Sequence, residues 1–147
     1  MKHAPLLATV ALLSACAGQP VEPIDVTSRS IQAFRDICLN NAPEFAGSMA
    51  SAKAYGITET EDLGFMTMGF SADKSMSMQL KPGNECVVTT PQQNDDSLTR
   101  QLLSAVAASA KSPVPRSVPA KFVLAGQTFI VMHDRRGGEA FVLLKAK

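Results

Sequence analysis

Residues 63–90 read LGFMTMGFSADKSMSMQLKPGNECVVTT, and the fold turns on how this stretch is read. Its apolar residues follow a period of two instead of the helical 3.6, which predicts strands at Leu63–Phe70, Ser75–Leu80 and Glu85–Thr90. Ser71–Lys74 and the Pro82-Gly83-Asn84 step are the turns between them.

Upstream the period is helical. Ile31, Phe34, Ile37 and Cys38 share one face of a helix that Thr27 or Ser28 can cap. Pro43 cannot continue that helix but suits the first turn of a second, expected from Pro43 to Tyr55 with Phe45, Met49 and Ala52 inward and Gly56 as its stop. Downstream, Asp95 or Asp96 caps a helix through Lys111, with Leu98, Leu102, Leu103, Val106, Ala107 and Ala110 as its stripe. Pro113, Pro115 and Pro119 keep 112–119 out of any central strand. Strands follow at Lys121–Leu124, Thr128–His133 and Glu139–Lys145, turning at Ala125-Gly126 and Asp134–Gly138. The order α(α)-βββ-α-βββ predicts one α+β domain over 27–147: a mainly antiparallel sheet of about six strands with helices on one face.

At the other end of the chain, Lys2 and His3 precede an apolar run from Ala4 to Ala15. Twelve residues are too short to cross a hydrocarbon core, which needs about 20 as a helix, so the run reads as an export signal over 1–15. Leu13-Ser14-Ala15-Cys16 resembles the lipobox of bacterial lipoproteins; the alternative is a plain secretory signal followed by a chance cysteine. The resemblance implies cleavage after Ala15, a diacylglycerol on the Cys16 thiol, an acylated amine, and a membrane partner reached through lipid. Ala17 is not the aspartate that retains enteric lipoproteins at the inner membrane, which by analogy implies the outer membrane, with the domain facing the periplasm. Residues 16–26 then comprise the lipidated cysteine and a stiff tether carrying Pro20 and Pro23. The mature part, with a cysteine in its first helix followed by Pro43 and Phe45, resembles small uncharacterised exported proteins of proteobacteria, a resemblance that implies no activity.

Removing fifteen residues from 147 leaves 132, enough for one domain with its own core. Loss of Lys2 leaves thirteen basic against thirteen acidic residues with no long run of one sign. Nucleic acid is therefore not expected as a partner, since phosphate binding needs clustered Lys and Arg. In an oxidising compartment the two remaining cysteines, Cys38 and Cys86, are expected to pair. Two inert thiols or a redox pair are the alternatives, although the redox spacing CxxC is absent.

Methionine usage is unusual. Met66-Thr67-Met68 and Met76-Ser77-Met78 are two MxM pairs on adjacent predicted strands, and thioethers select Cu(I). Register separates this reading from core packing. A hairpin turning at Ser71–Lys74 sets Met76 opposite Gly69 and Met78 opposite Thr67, on the face expected to carry Leu63, Phe65 and Leu80. Met66 and Met68 then fall on the other face, and no four-methionine site forms.

His133 is the one histidine of the mature chain. Next to Asp134 at a strand end it could act as a general base, but no second histidine, free cysteine or GxSxG context accompanies it. The string Asp134-Arg135-Arg136-Gly137-Gly138-Glu139 could hold an anion and reads more simply as a solvated turn. Asn94-Asp95-Asp96 lacks the oxygen spacing of a calcium loop, and Glu59 and Glu61 read as part of a polar loop. No cofactor and no catalytic residue is expected. The composite expectation is a non-catalytic binding or adaptor module that meets another envelope protein through a face bearing Met66, Met68 and Phe70. A Cu(I)-binding protein and an enzyme working near His133 are the rival classes; oligomeric state is left open.

Overall fold

The computed structural model describes residues 18–147; the expected signal segment and the expected lipidation site at Cys16 lie outside them. Seven strands form a single antiparallel sheet: β1 (Ile57–Asp62), β2 (Thr67–Ser71), β3 (Ser77–Lys81), β4 (Glu85–Thr90), β5 (Ala120–Leu124), β6 (Gln127–Asp134) and β7 (Glu139–Lys145). Their order is β1-β2-β3-β4-β7-β6-β5, two meanders joined through their last strands. One helix precedes the sheet, α1 (Arg29–Ile37), followed by a short α2 (Ser48–Ala52); α3 (Leu98–Ala110) carries the chain from the centre of the sheet to its far edge.

The class is α+β, with one strand more than expected. The addition is β1, whose sequence ITETED buries only Ile57 and exposes the other five residues. An edge strand lying beyond the helices has no apolar face to show, so it reads as a loop. Its charges also blunt edge-to-edge pairing. Glu59 and Glu61 therefore sit on a strand, opposite Phe70 and Met68.

The β2–β3 turn is wider than expected. Asp73 accepts hydrogen bonds from Ser71 Oγ (2.7 Å) and from Ser75 N and Oγ (3.0 and 2.7 Å), which hold its carboxyl down at about pKa 2. Met78 consequently faces Gly69 and Leu80 faces Thr67, two residues along from the expected register. A shift of two keeps every side chain on its face. Met76, Met78 and Leu80 are buried as expected. Leu63 and Phe65 are not: they lie in the β1–β2 turn, 40% and 68% exposed.

The second helix is also shorter than predicted. After Pro43 the chain makes a tight turn with Phe45 at φ 61°, which drops its ring into the core against Phe129, centroids 6.1 Å apart. Helix resumes only at Ser48. Between the two, Asn41 Nδ2 donates to the carbonyls of Asp36 and Ile37 (2.9 and 3.1 Å), and Ser48 Oγ donates to Ile37 (2.6 Å). These bonds satisfy the carbonyls that the end of α1 leaves open.

The core lies between the helices and one sheet face: Ile31, Phe34 and Ile37 from α1, Leu98, Leu102 and Val106 from α3, and Met78, Val88, Phe129, Val131, Phe141 and Leu143 from the strands. A Cys38–Cys86 disulfide, with Cα atoms 5.6 Å apart, ties the end of α1 to the start of β4.

At the edge of α1, the Tyr55 hydroxyl donates to Asp36, which Arg35 also holds at 2.7 Å. Burial, then the bond to Asp36, pushes the phenol up to about 12. Tyr55 is the only tyrosine and the chain has no tryptophan, so absorbance at 295 nm reads this group alone. A native ionisation midpoint near 12 is expected, against about 10 in urea. The fold holds the neutral phenol, so its contribution is complete below pH ~10 and is lost as pH rises toward 12. Asp36→Asn should bring the midpoint down; an unmoved midpoint would show that the contact is not made in solution.

Candidate functional site

Two features outside the apolar core could carry function. The first is a polar cluster where β6 and β7 meet the start of α3. Alternation along β7 places Glu139 on the same side as Phe141 and Leu143, and its side chain is fully buried. The carboxylate accepts from His133 Nε2 (2.5 Å), Arg135 Nε (3.0 Å) and the backbone N–H of Gln93 (3.3 Å). With Nε2 donating, His133 Nδ1 is free to take the Thr99 hydroxyl proton at 2.7 Å. The ring stacks on its cross-strand neighbour Phe141, centroids 4.8 Å apart. Arg135 also donates to the Gln93 carbonyl at 2.6 Å.

A hydroxyl, an imidazole and a carboxylate in series could in principle pass a proton. Here the imidazole side chain is only 2% exposed and its carboxylate partner is sealed. Both ring nitrogens are occupied by protein groups. The arrangement is suited to clasping three pieces of chain together: the 91–97 loop through Gln93, the first turn of α3 through Thr99, and the β6–β7 hairpin. The Asp134–Glu139 string is accordingly not a simple solvated turn. Arg135 is turned onto Glu139, while Arg136 stays at the surface, 95% exposed at its side chain. Alternation would have found Glu139 in the sequence; its position beside two glycines masked it.

The second feature is the sheet face turned away from the helices. One row crosses six strands: Glu61, Met68, Gln79, Val87, Val142 and Met132, each paired with the next. A neighbouring row runs Lys81, Glu85, Leu144, Ile130 and Lys121. The centre of this face is thus apolar across β4, β7 and β6, and its rims carry charge. Met132 is 39% exposed, and Val123 on the edge strand is 59% exposed.

Of the expected interaction residues, Met68 and Phe70 lie on this face, both half-buried, with Lys74 Nζ 5.5 Å over the Phe70 ring. Met66 is half-buried at the end of the β1–β2 turn. Val87, Val142, Leu144, Ile130 and Met132 lie on this face as well, beyond the residues the sequence pattern points to. Their signal was present as uninterrupted apolar runs, Phe129–Met132 and Phe141–Leu144, which put greasy side chains on both faces of a strand.

The structure does not gather the four methionines: Met76 and Met78 are buried in the core and Met68 faces the other way. Asp95 accepts from Ser97 N and Oγ (2.8 and 2.6 Å), a turn that leads into α3. Among the described residues no three His, Cys, Asp or Glu side chains are grouped as a metal site, and no helix is long and apolar enough to cross a membrane. No protein-family model, curated protein or solved structure significantly matches the chain.

Proposed function

We propose that this chain is an envelope lipoprotein, lipidated at Cys16 and facing the periplasm from the outer membrane, whose domain is a binding module for another envelope protein. The observation that carries the binding reading is the imbalance of the sheet. Strands with apolar residues on both faces ordinarily lie between two covering layers. Here α1 and α3 cover one face, and the row Met68–Val87–Val142–Met132 is left with solvent-facing apolar surface. An apolar centre with a charged rim has the make-up of a protein–protein interface.

The fitting partner presents an apolar patch of its own, rimmed by charges that complement Glu61 at one edge and Lys121 at the other. A photo-crosslinking residue at Gln79, in the middle of the row, should capture a single envelope protein in the native host. The same residue at Lys53, on the helical side, should not. Met132→Lys/Val87→Lys should abolish the adduct while changing the unfolding free energy by no more than about 1 kcal/mol, as for surface positions. Equal capture from both sites, or an adduct that survives the double lysine variant, would remove the proposal. No catalytic role is assigned to His133, whose hydrogen bonds are all spent inside the fold.

A further inference from the structure

Residues 18–28 are extended, as their prolines require, but they are not a loose tether. Arg116 Nη2 donates to the Gln19 carbonyl at 3.0 Å. The Ile24 N–H donates to Ser104 Oγ at 3.0 Å. The N–H groups of Thr27 and Ser28 both donate to Gln101 Oε1, at 2.9 and 2.8 Å. Gln101 and Ser104 are themselves buried, on α3. Pro20, Val21 and Pro23 line a groove with Ala107, Ala108, Pro113 and Val114.

The side of α3 that receives this segment follows from its periodicity. Gln101, Ser104 and Ala108 are three and four residues apart and share one face, whereas Leu102 and Val106, well round the helix from it, face the core. The segment is therefore a third layer: outer sheet face, inner sheet face with α3, then the extended strap. It is already docked at Gln19, three residues after Cys16. Three residues of extended chain span at most about 11 Å.

Resting on the lipoprotein reading, we infer that the surface made by the strap and the 112–116 loop lies directly against the phospholipid headgroups, and that the outer sheet face is held pointing away from the bilayer. A lipid-anchored chain with no slack must seat the domain on the side where it docks. That side has exposed Lys111, Arg116 and Arg100 against Glu22 and Asp25, a small cationic excess suited to phosphate but too small to bind a membrane alone, at ~1 kcal/mol per charge. The occupant is the bilayer surface, placed there by the acyl chains. The interaction face of the sheet is thereby presented to the periplasm.

The full-length protein, extracted from its native membranes and reconstituted into phosphatidylcholine–phosphatidylglycerol vesicles, tests this. A fluorophore is placed through Ser112→Cys on the strap side or Thr89→Cys on the outer sheet face, and headgroup-spin-labelled lipid is the quencher. Flotation with the vesicles is scored first. Quenching several-fold stronger at 112 than at 89 is expected. In Gln101→Ala/Ser104→Ala, which still floats, the contrast should shrink toward equality as the strap comes loose. Equal or reversed quenching in a floating protein, or a contrast unchanged in the double variant, overturns the seating while leaving the lipoprotein reading intact. A protein that fails to float and carries no acyl mass on Cys16 overturns both.

Discussion

Replacing Glu139 by alanine lowers the unfolding free energy by about 3 kcal/mol, the upper end of the cost of leaving a buried donor without its partner. Glu139 is a fully buried carboxylate on which His133, Arg135 and the Gln93 amide converge. Its loss strands the Nε2–H of a side chain that is itself 2% exposed, removes the Gln93 N–H bond that helps hold the 91–97 loop to the hairpin, and opens a void beside Phe141. Arg135 is more than a third exposed and recovers part of its solvation, so most of the effect comes from His133 and the loop. Urea unfolding followed by far-UV circular dichroism measures it. His133→Ala/Glu139→Ala should cost much less than the sum of the two single variants, because each single change already breaks the shared contact. A loss below about 1 kcal/mol for Glu139→Ala would mean that the cluster does not clasp the three segments.

Removing the disulfide is the other large effect. Cys38 and Cys86 close a loop with a sequence separation of 48, and both are fully buried. Chain-entropy reasoning gives about 4 kcal/mol for a loop of that length. Domains of this size have only about 5–15 kcal/mol in all. Cys38→Ala/Cys86→Ala should therefore unfold at a much lower urea concentration than the oxidised protein. Alanine leaves no buried hydroxyl unpartnered, so the loss reflects the cross-link and a small cavity. A midpoint within error of the oxidised protein would show that α1 is held to β4 by packing alone.

Much of the architecture was legible because its signals are local. The period change at residues 63–90, the Pro82-Gly83-Asn84 turn and the stripe from Leu98 to Val106 each identify an element without reference to the rest. Elements whose form depends on distant partners were not. The strand Ile57–Asp62 shows almost nothing apolar, because it sits at an edge past the helices. The sequence around Phe45 carries a helical stripe; packing against Phe129 leaves its backbone in a left-handed conformation instead. Leu63 and Phe65 continue the alternation of their neighbours and yet sit in a turn, where Asp62 accepts from the Gly64 N–H.

The candidate sites divide the same way. Cysteine pairing followed from number and an expected oxidising compartment, and the splitting of the methionines followed from parity. Burial of Glu139 and the docking of residues 19–28 on Gln101, Ser104 and Arg116 depend on contacts across 46 and up to 97 residues, which no window of sequence displays. The breadth of the outer apolar face was present in the runs Phe129–Met132 and Phe141–Leu144. A continuous run does not say which of its two faces lacks a cover.

The join between the two meanders has a kinetic consequence. Hairpins β2–β3, β3–β4, β5–β6 and β6–β7 close through short turns, whereas the β4–β7 ladder joins residues 49 to 59 positions apart. Closing a loop about ten times longer costs about 2 kcal/mol more chain entropy. Each half can thus zip while the other is still open, and the central seam, which carries Cys86, comes together late. Until it does, the newly made polypeptide is two half-sheets with facing raw edges, the species most exposed to proteases and to the wrong strand.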